Sequence, residues 1–259
     1  MLGAIAGDII GSVYEGRPIK SEDFPLFAED AVFTDDTVLT VATAWAILRE
    51  ESYDRAYQTF GRKYPRAGYG GSFLHWIFAP KPEPYNSWGN GSAMRVSPVG
   101  FAFDDEETVL AEARRSAAVT HNHPEGVKGA QATALAIFRA REGWDMPKIR
   151  SDIARRFGYD MDRTIADIRP GYHFDVSCQG SVPEALIAFL DSGSYEETVR
   201  KAVSLGGDTD TQACIAGGVA QAFYGGVPDA IAQEARKRLP KEFLDILAEF
   251  ETRFPAAAP

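Results

Sequence analysis

Two short clusters of acids and hydroxyls, Thr34-Asp35-Asp36-Thr37 and Asp208-Thr209-Asp210-Thr211, stand far apart in the chain, and each opens an apolar, helix-like run. Neighbouring side chains on a helix point about 100° apart, so three in a row cannot face one point from a helix interior. At a helix end they can converge. Thr34 suits an N-cap before the apolar stretch Val38 to Leu48, and Gly206-Gly207 gives a flexible lead-in to the run from Gln212 to Tyr224. Both clusters are therefore expected at helix N-termini, and the fold must decide whether the two ends meet.

Two readings of the clusters stand side by side. Asp and Thr at helix starts are ordinary caps, favoured by the helix dipole. Alternatively, oxygen-only ligands without nearby Cys or His suit Mg²⁺, Mn²⁺ or Ca²⁺ better than zinc or copper, and Asp35, Asp36, Asp208 and Asp210 suffice for two divalent ions. The stretch Val203 to Thr211 superficially resembles the strand and DxDx[TV] start of haloacid-dehalogenase-type phosphatases. That pattern wants Thr or Val where Gln212 stands, and Gly206-Gly207 interrupts the strand. An EF-hand loop fails too, because Thr211-Gln212 replaces its fifth-position ligand and glycine.

Apolar residues recur at spacings of three and four, as in Leu110, Ala113, Ala117 and in Ala130, Ala134, Ile137, Phe138. This pattern predicts helices over Leu2 to Val13, Thr37 to Glu51, Tyr53 to Tyr64, Glu106 to Thr120, Pro124 to Glu142, Pro147 to Phe157, Ser181 to Asp191, Tyr195 to Ser204, Thr209 to Tyr224, Pro228 to Leu239 and Lys241 to Phe254. Period-two strands are scarce, so the expected fold class is all-α. Gly3, Gly7 and Gly11 give the first helix a smooth face for close packing in a bundle. A polar loop with Pro18 and Pro25 follows it and is long enough to be a lid. Three further loops, Gly68 to Ser72, Pro80 to Ser92 and Tyr159 to Gly180, are where binding residues are expected. The tail from Pro255 to Pro259 is expected to fray.

No linker divides the 259 residues, so residues 1–259 read as one domain. A net charge of −10 argues against general binding to nucleic acid or an anionic membrane. No run of about 18 apolar residues exists to span a bilayer. The first residues lack a basic n-region and carry Asp8 early, unlike a signal peptide. Two cysteines, Cys178 and Cys214, have no metal-type spacing, and a reducing cytoplasm is the expected compartment. Cys214 is expected to be a buried helix residue, and a monomer is the default.

In the segment Asn86 to Arg95, Gly89 and Gly91 allow close backbone approach, and the turn opens a short helix. Its N–H groups suit phosphate or ribose oxygens, or form a plain turn. Trp88 could stack on a base or ribose. Arg95 equally suits a structural ion pair. His121 and His123 flank Asn122 before Pro124; one of them suits hydrogen bonding to phosphate or a ribose hydroxyl. His75 and His173 are expected to be packing or surface residues.

Taken in order, Gly3 to Asp8, Phe33 to Thr37, Gly89 to Arg95, Thr120-His121 and Gly206 to Thr211 resemble the ADP-ribosylglycohydrolase family over nearly the whole chain. That family includes the dinitrogenase-reductase-activating glycohydrolases and the ADP-ribosyl-acceptor hydrolases. The resemblance implies a compact orthogonal helical bundle with a binuclear Mg²⁺ centre in a cleft, Mn²⁺ being an alternative. Thr34, Asp35, Asp36, Asp208, Asp210 and Thr211 match its metal-binding positions, with Thr209 a spacer. Ser87, Trp88, Gly89, Asn90 and His121 match positions that hold the diphosphate and riboses, beside Gly91 of the same loop. Glu15 matches an acid in the entrance segment.

The implied reaction is Mg²⁺-dependent release of ADP-ribose from a modified protein or small-molecule acceptor by cleavage of the C1″ glycosidic bond. Cleavage passes through an oxocarbenium-like state that a carboxylate stabilises, Asp35 or Asp36 first and Glu15 second. The alternatives are an ADP-ribose-binding module without turnover and a metal-dependent nucleotide phosphoesterase.

Overall fold

The three-and-four spacing of apolar residues is realised along the chain. The computed structural model describes residues 1–255; among them it holds fifteen helices and a single isolated β-bridge, Gly89 to Ser177. The chain begins with α1 (Leu2–Glu15), α2 (Asp35–Arg49), α3 (Tyr53–Lys63), α4 (Gly71–Phe78), the short α5 (Gly91–Met94) and α6 (Ser97–Ala102). It continues through α7 (Glu106–Ala118), α8 (Pro124–Arg141), α9 (Met146–Phe157) and the one-turn α10 (Ile165–Ile168). It closes with α11 (Cys178–Leu190), α12 (Tyr195–Ser204), α13 (Thr209–Phe223), α14 (Asp229–Lys237) and α15 (Lys241–Arg253). The fold is all-α. The tail expected to fray falls largely on residues 256–259, outside the described residues. No described helix is long and apolar enough to cross a membrane.

α13 is the hub. It is buried from Thr209 to Gln221 and packs on α1, α8, α11 and α12. Its closest partner is α1, for the reason the glycine spacing predicts. A Cβ added at Gly3, Gly7 or Gly11 would collide with the carbonyl of Gly217, Ala213 or Thr209 respectively, so only glycine lets the backbones touch. That order of pairing makes the two helices antiparallel. Hydrogen bonds fix the register: the Gly3 N–H donates to Gln221 Oε1 at 2.6 Å, and the Thr209 hydroxyl donates to the Gly11 carbonyl at 2.8 Å.

The spacing rule misses α4, α6 and α10, which are short, while α5 is the short helix expected to open from the Gly89 to Gly91 turn. The rule also starts α11 late. Ser177 caps that helix, its Oγ accepting the Gly180 N–H at 3.1 Å, and Pro183 lies inside it. The segment between α1 and α2 is tied to the body at several points. Phe24 is buried, and Arg200 Nη1 donates to the carbonyls of Phe24 at 2.7 Å and Glu22 at 3.0 Å. Lys20 Nζ donates to the carbonyls of Tyr172, at 2.7 Å, and Leu205.

Candidate metal centre and substrate cleft

α1 brings the two acidic clusters together. Its middle faces the start of α2 through Asp8, a fully buried acid in an otherwise apolar stretch. Asp8 Oδ2 accepts the backbone N–H groups of Thr34 and Thr37, each at 3.0 Å, and the Thr37 hydroxyl. Its Oδ1 accepts the Thr34 hydroxyl at 2.7 Å. Farther along, Gly11 meets the first residue of α13. One helix therefore holds both N-termini, each by a different device.

Thr34 is the N-cap of α2, its Oγ1 accepting the Asp36 N–H at 3.3 Å, and Asp208 occupies the cap position of α13 without a side-chain cap bond. The capping reading is realised for Thr34. Carboxylate oxygens of Asp8, Asp36 and Asp210 lie within 4.8 Å of one another, as do those of Glu15, Asp208 and Asp210, so Asp210 is common to both groups. Thr211 Oγ1 lies 3.4 Å from Asp36 Oδ2. Asp35 lines the same cleft, its N–H bound to the Ala67 carbonyl at 2.8 Å. Glu15 sits exposed at the edge, as the last residue of α1.

Electrostatics make this cluster unstable by itself. Burial, followed by repulsion from Asp8 and its neighbours, pushes the Asp35 carboxyl up to about 8. The same two causes raise Asp36 and Asp210 well above the carboxylate range. Burial lifts Asp8 to about 6, against the pull of its bonds from Thr34 and Thr37. Asp36 Oδ1 is buried with no hydrogen-bond partner among the described residues. Buried carboxylates left uncompensated are costly, and an all-oxygen set of this kind fits a hard divalent cation. The residues present fit such an ion.

Above the acids opens a cleft of about 560 Å³, in the size range of small-molecule sites. Ser87, Trp88, Gly89, Asn90, Gly91 and His121 all line it, as their placement in the sequence anticipates. The loop is held from two sides. Ser87 Oγ accepts the Gly89 N–H at 3.1 Å, while the Asn90 N–H donates to the Val176 carbonyl at 2.7 Å. Asn90 Nδ2 donates to Asp208 Oδ2 at 2.7 Å and to Ser181 Oγ at 3.1 Å, which ties the loop to the second acidic cluster. Trp88 is 53% exposed, with its ring edge-on to His123 at 5.8 Å.

Arg95 departs from the ion-pair expectation. It is fully buried with its guanidinium 4.2 Å over the Tyr57 ring, and Nη2 donates to the Ser116 carbonyl at 2.9 Å and to Thr120 Oγ1 at 2.8 Å. An aromatic face supports the charge in place of an acid. His75 and His173 are on the surface, and Cys214 is buried in α13. The residue that the spacing argument misses is Asp8. Its signal was a lone carboxylate in the middle of an apolar helix.

The family model of the ADP-ribosylglycohydrolases matches residues 1–257. The chain belongs to the ADP-ribosylglycohydrolase family. It is similar to ADP-ribosylhydrolase ARH3 of Bos taurus and of Homo sapiens, each 27% identical over 96% of this chain and 90% of the relative. It is also similar to the ADP-ribosyl-[dinitrogen reductase] glycohydrolase of Rhodospirillum rubrum, 26% identical over 59% of this chain and 52% of that protein. A solved structure described as an ADP-ribosylglycohydrolase-related protein complex has the same fold, with a TM-score of 0.73, 24% identity, and coverage of 97% of this chain and 96% of the other. As a member of the family, the chain is a glycosyl hydrolase acting on ADP-ribose conjugates.

Proposed function

We propose that this ADP-ribosylglycohydrolase is a Mg²⁺-dependent enzyme that frees ADP-ribose from a modified acceptor by breaking the C1″ glycosidic bond. The observation that carries this reading is the meeting of the two acidic clusters beneath a loop-lined cleft of nucleotide size. Thr34, Asp35, Asp36, Asp208, Asp210 and Thr211 would hold two ions. Bound there, the ions supply Lewis-acid fixation of a ribose diol, which orients the sugar for reaction.

The remaining work falls to side chains and backbone. In the loop from Ser87 to Gly91 the N–H groups of Ser87, Gly89 and Asn90 are engaged within the fold, which leaves those of Trp88 and Gly91 for the diphosphate; Trp88 offers an open aromatic face, and His121 offers a ring nitrogen. Of the two leading carboxylates, Asp35 is the more accessible and Asp36 is buried between hydroxyls, so Asp35 is assigned to activate water and stabilise the developing oxocarbenium charge. Glu15, exposed at the edge, is assigned an assisting role.

The test is hydrolysis of ADP-ribosyl peptides with arginine and serine linkages, in Mg²⁺ and then in chelator, following free ADP-ribose. Metal-dependent release, lost together with cation binding in Asp208→Asn at an unchanged helical signal, is the expected result. Release of AMP with a phosphoribosyl group left on the peptide, or tight ADP-ribose binding without turnover of any peptide, would overturn it in favour of a phosphoesterase or a binding module.

A further inference from the structure

His121 is the imidazole of the cleft, and its neutral ring can carry the proton on either nitrogen. Nδ1 lies 2.7 Å from the Thr120 hydroxyl. Thr120 is fully buried, and its oxygen already accepts a hydrogen from Arg95 Nη2 at 2.8 Å. The second Nη2 hydrogen goes to the Ser116 carbonyl at 2.9 Å. Among the described residues the Thr120 proton then has one acceptor in reach, Nδ1. Were Nδ1 protonated instead, Thr120 would accept from both sides and bury its own proton unpaired. The chain of donation runs from Arg95 through Thr120 to His121, and it leaves the ring proton on Nε2.

Nε2 faces the glycine loop. A Cβ added at Gly91 would stand 3.1 Å from it, and one at Gly89 3.5 Å, so glycine at these positions keeps the space in front of the nitrogen open. Nε2 has no hydrogen-bond partner among the described residues, although the other ring nitrogen is bound. We infer that Arg95 and Thr120 are positioning residues that hold His121 as its Nε2–H tautomer, giving the cleft one fixed donor for the diphosphate or ribose oxygens of an ADP-ribosyl ligand. The ligand in this inference rests on the function proposed above.

The source of the chain is stiff. The Arg95 guanidinium lies close to two rings, 4.2 Å from the centroid of Tyr57 and 5.9 Å from that of Phe73. The Tyr57 hydroxyl bonds in turn to Ser116 Oγ at 3.2 Å and Thr43 Oγ1 at 3.0 Å. Burial, and then the nearby Arg95 charge, hold the His121 pKa well below the usual histidine range. A neutral ring donates from one nitrogen only, so the identity of that nitrogen decides whether His121 gives or takes a hydrogen bond in the cleft.

The test is ¹⁵N NMR of histidine-labelled protein, in which four histidines keep the spectrum assignable, together with calorimetric ADP-ribose binding in Mg²⁺. The expected wild-type spectrum has a pyrrole-type Nε2 and a hydrogen-bonded, pyridine-type Nδ1. In Thr120→Val both ring-nitrogen resonances should move toward the averaged positions of a mixture of the two tautomers, and ADP-ribose should bind about three- to tenfold more weakly, the range set by one hydrogen bond. Thr120→Ser, which keeps the hydroxyl, should restore both. A proton on Nδ1 in the wild type, with normal ADP-ribose binding, overturns the inference alone. An unchanged Nδ1 resonance and affinity in Thr120→Val also overturns it. The expected tautomer in a wild-type protein that does not bind ADP-ribose overturns the ligand assignment, and the proposed function with it.

Discussion

Replacing Asp35 with Asn removes one negative charge from a cluster whose other members repel it, so the metal-free protein should become more stable. The Asp35 carboxyl rises from an ordinary value of 3.8 to about 8, chiefly through burial and then through Asp8. A carboxyl raised in this way costs the fold nothing below pH about 4, costs progressively more as pH rises, and reaches its full penalty above pH about 8. At pH 7 the part of the penalty already reached corresponds to about 4 kcal/mol. Asp35 is partly open to the cleft, and solvent screening brings the expected gain to about 2–3 kcal/mol. For a chain of this size that raises the Tm by about 4–10 °C. Thermal unfolding followed by circular dichroism in chelator, from pH 4 to pH 8, should show the advantage of Asp35→Asn growing with pH. In Mg²⁺ at about 100 times its Kd the wild type should recover about 2.7 kcal/mol, and the variant much less. A variant no more stable than the wild type in chelator at pH 8 would refute the reasoning that the clusters are electrostatically frustrated without cations.

Gly7→Ala should destabilise the protein by at least about 2 kcal/mol, because the new Cβ falls on the Ala213 backbone and the two central helices must separate. Calorimetric cation binding should weaken in the same variant, since α1 sets both acidic clusters; intact cation affinity would contradict that role. Asp152→Ala should cost about 3 kcal/mol in urea unfolding. This buried carboxylate accepts from Arg139 Nε at 3.2 Å, Arg155 Nη2 at 2.7 Å and Arg156 Nε at 2.7 Å. Burial pushes the Asp152 carboxyl up, but these arginine bonds outweigh it and hold the pKa below the usual range. Its stabilisation is therefore present above pH about 4 and disappears as pH falls through the depressed value, where variant and wild type should converge. Trp88→Ala, at an exposed position, should leave the Tm within about 1 °C and weaken ADP-ribose binding about three- to tenfold in calorimetry. Unchanged affinity would remove the stacking role.

Much of the architecture was legible from short-range pattern. Helix existence follows from apolar residues at three and four, and the ends from capping chemistry: Thr34 caps α2, and α13 starts at Thr209, as the residue types require. The all-α class and the smooth glycine face of α1 follow from the same local rules. The six hydroxyl and acidic positions from Thr34 to Thr211 were visible as two clusters because each is a local motif. Their residue types alone pointed to hard cations.

What tertiary structure decided is adjacency. Whether the starts of α2 and α13 share a site depends on α1 lying antiparallel against α13 and offering Asp8 to α2, and nothing local to either cluster encodes that. Asp8 reads in sequence as a stray acid because its four donors lie on another helix. Arg95 reads as half an ion pair because its charge leaves no trace of the Tyr57 ring that faces it. Local propensity acts through neighbours three and four residues away, so it sets helices and their caps. A buried site is assembled by side chains that meet only after those helices have packed, and the packing of α1 on α13 is where this chain makes that choice.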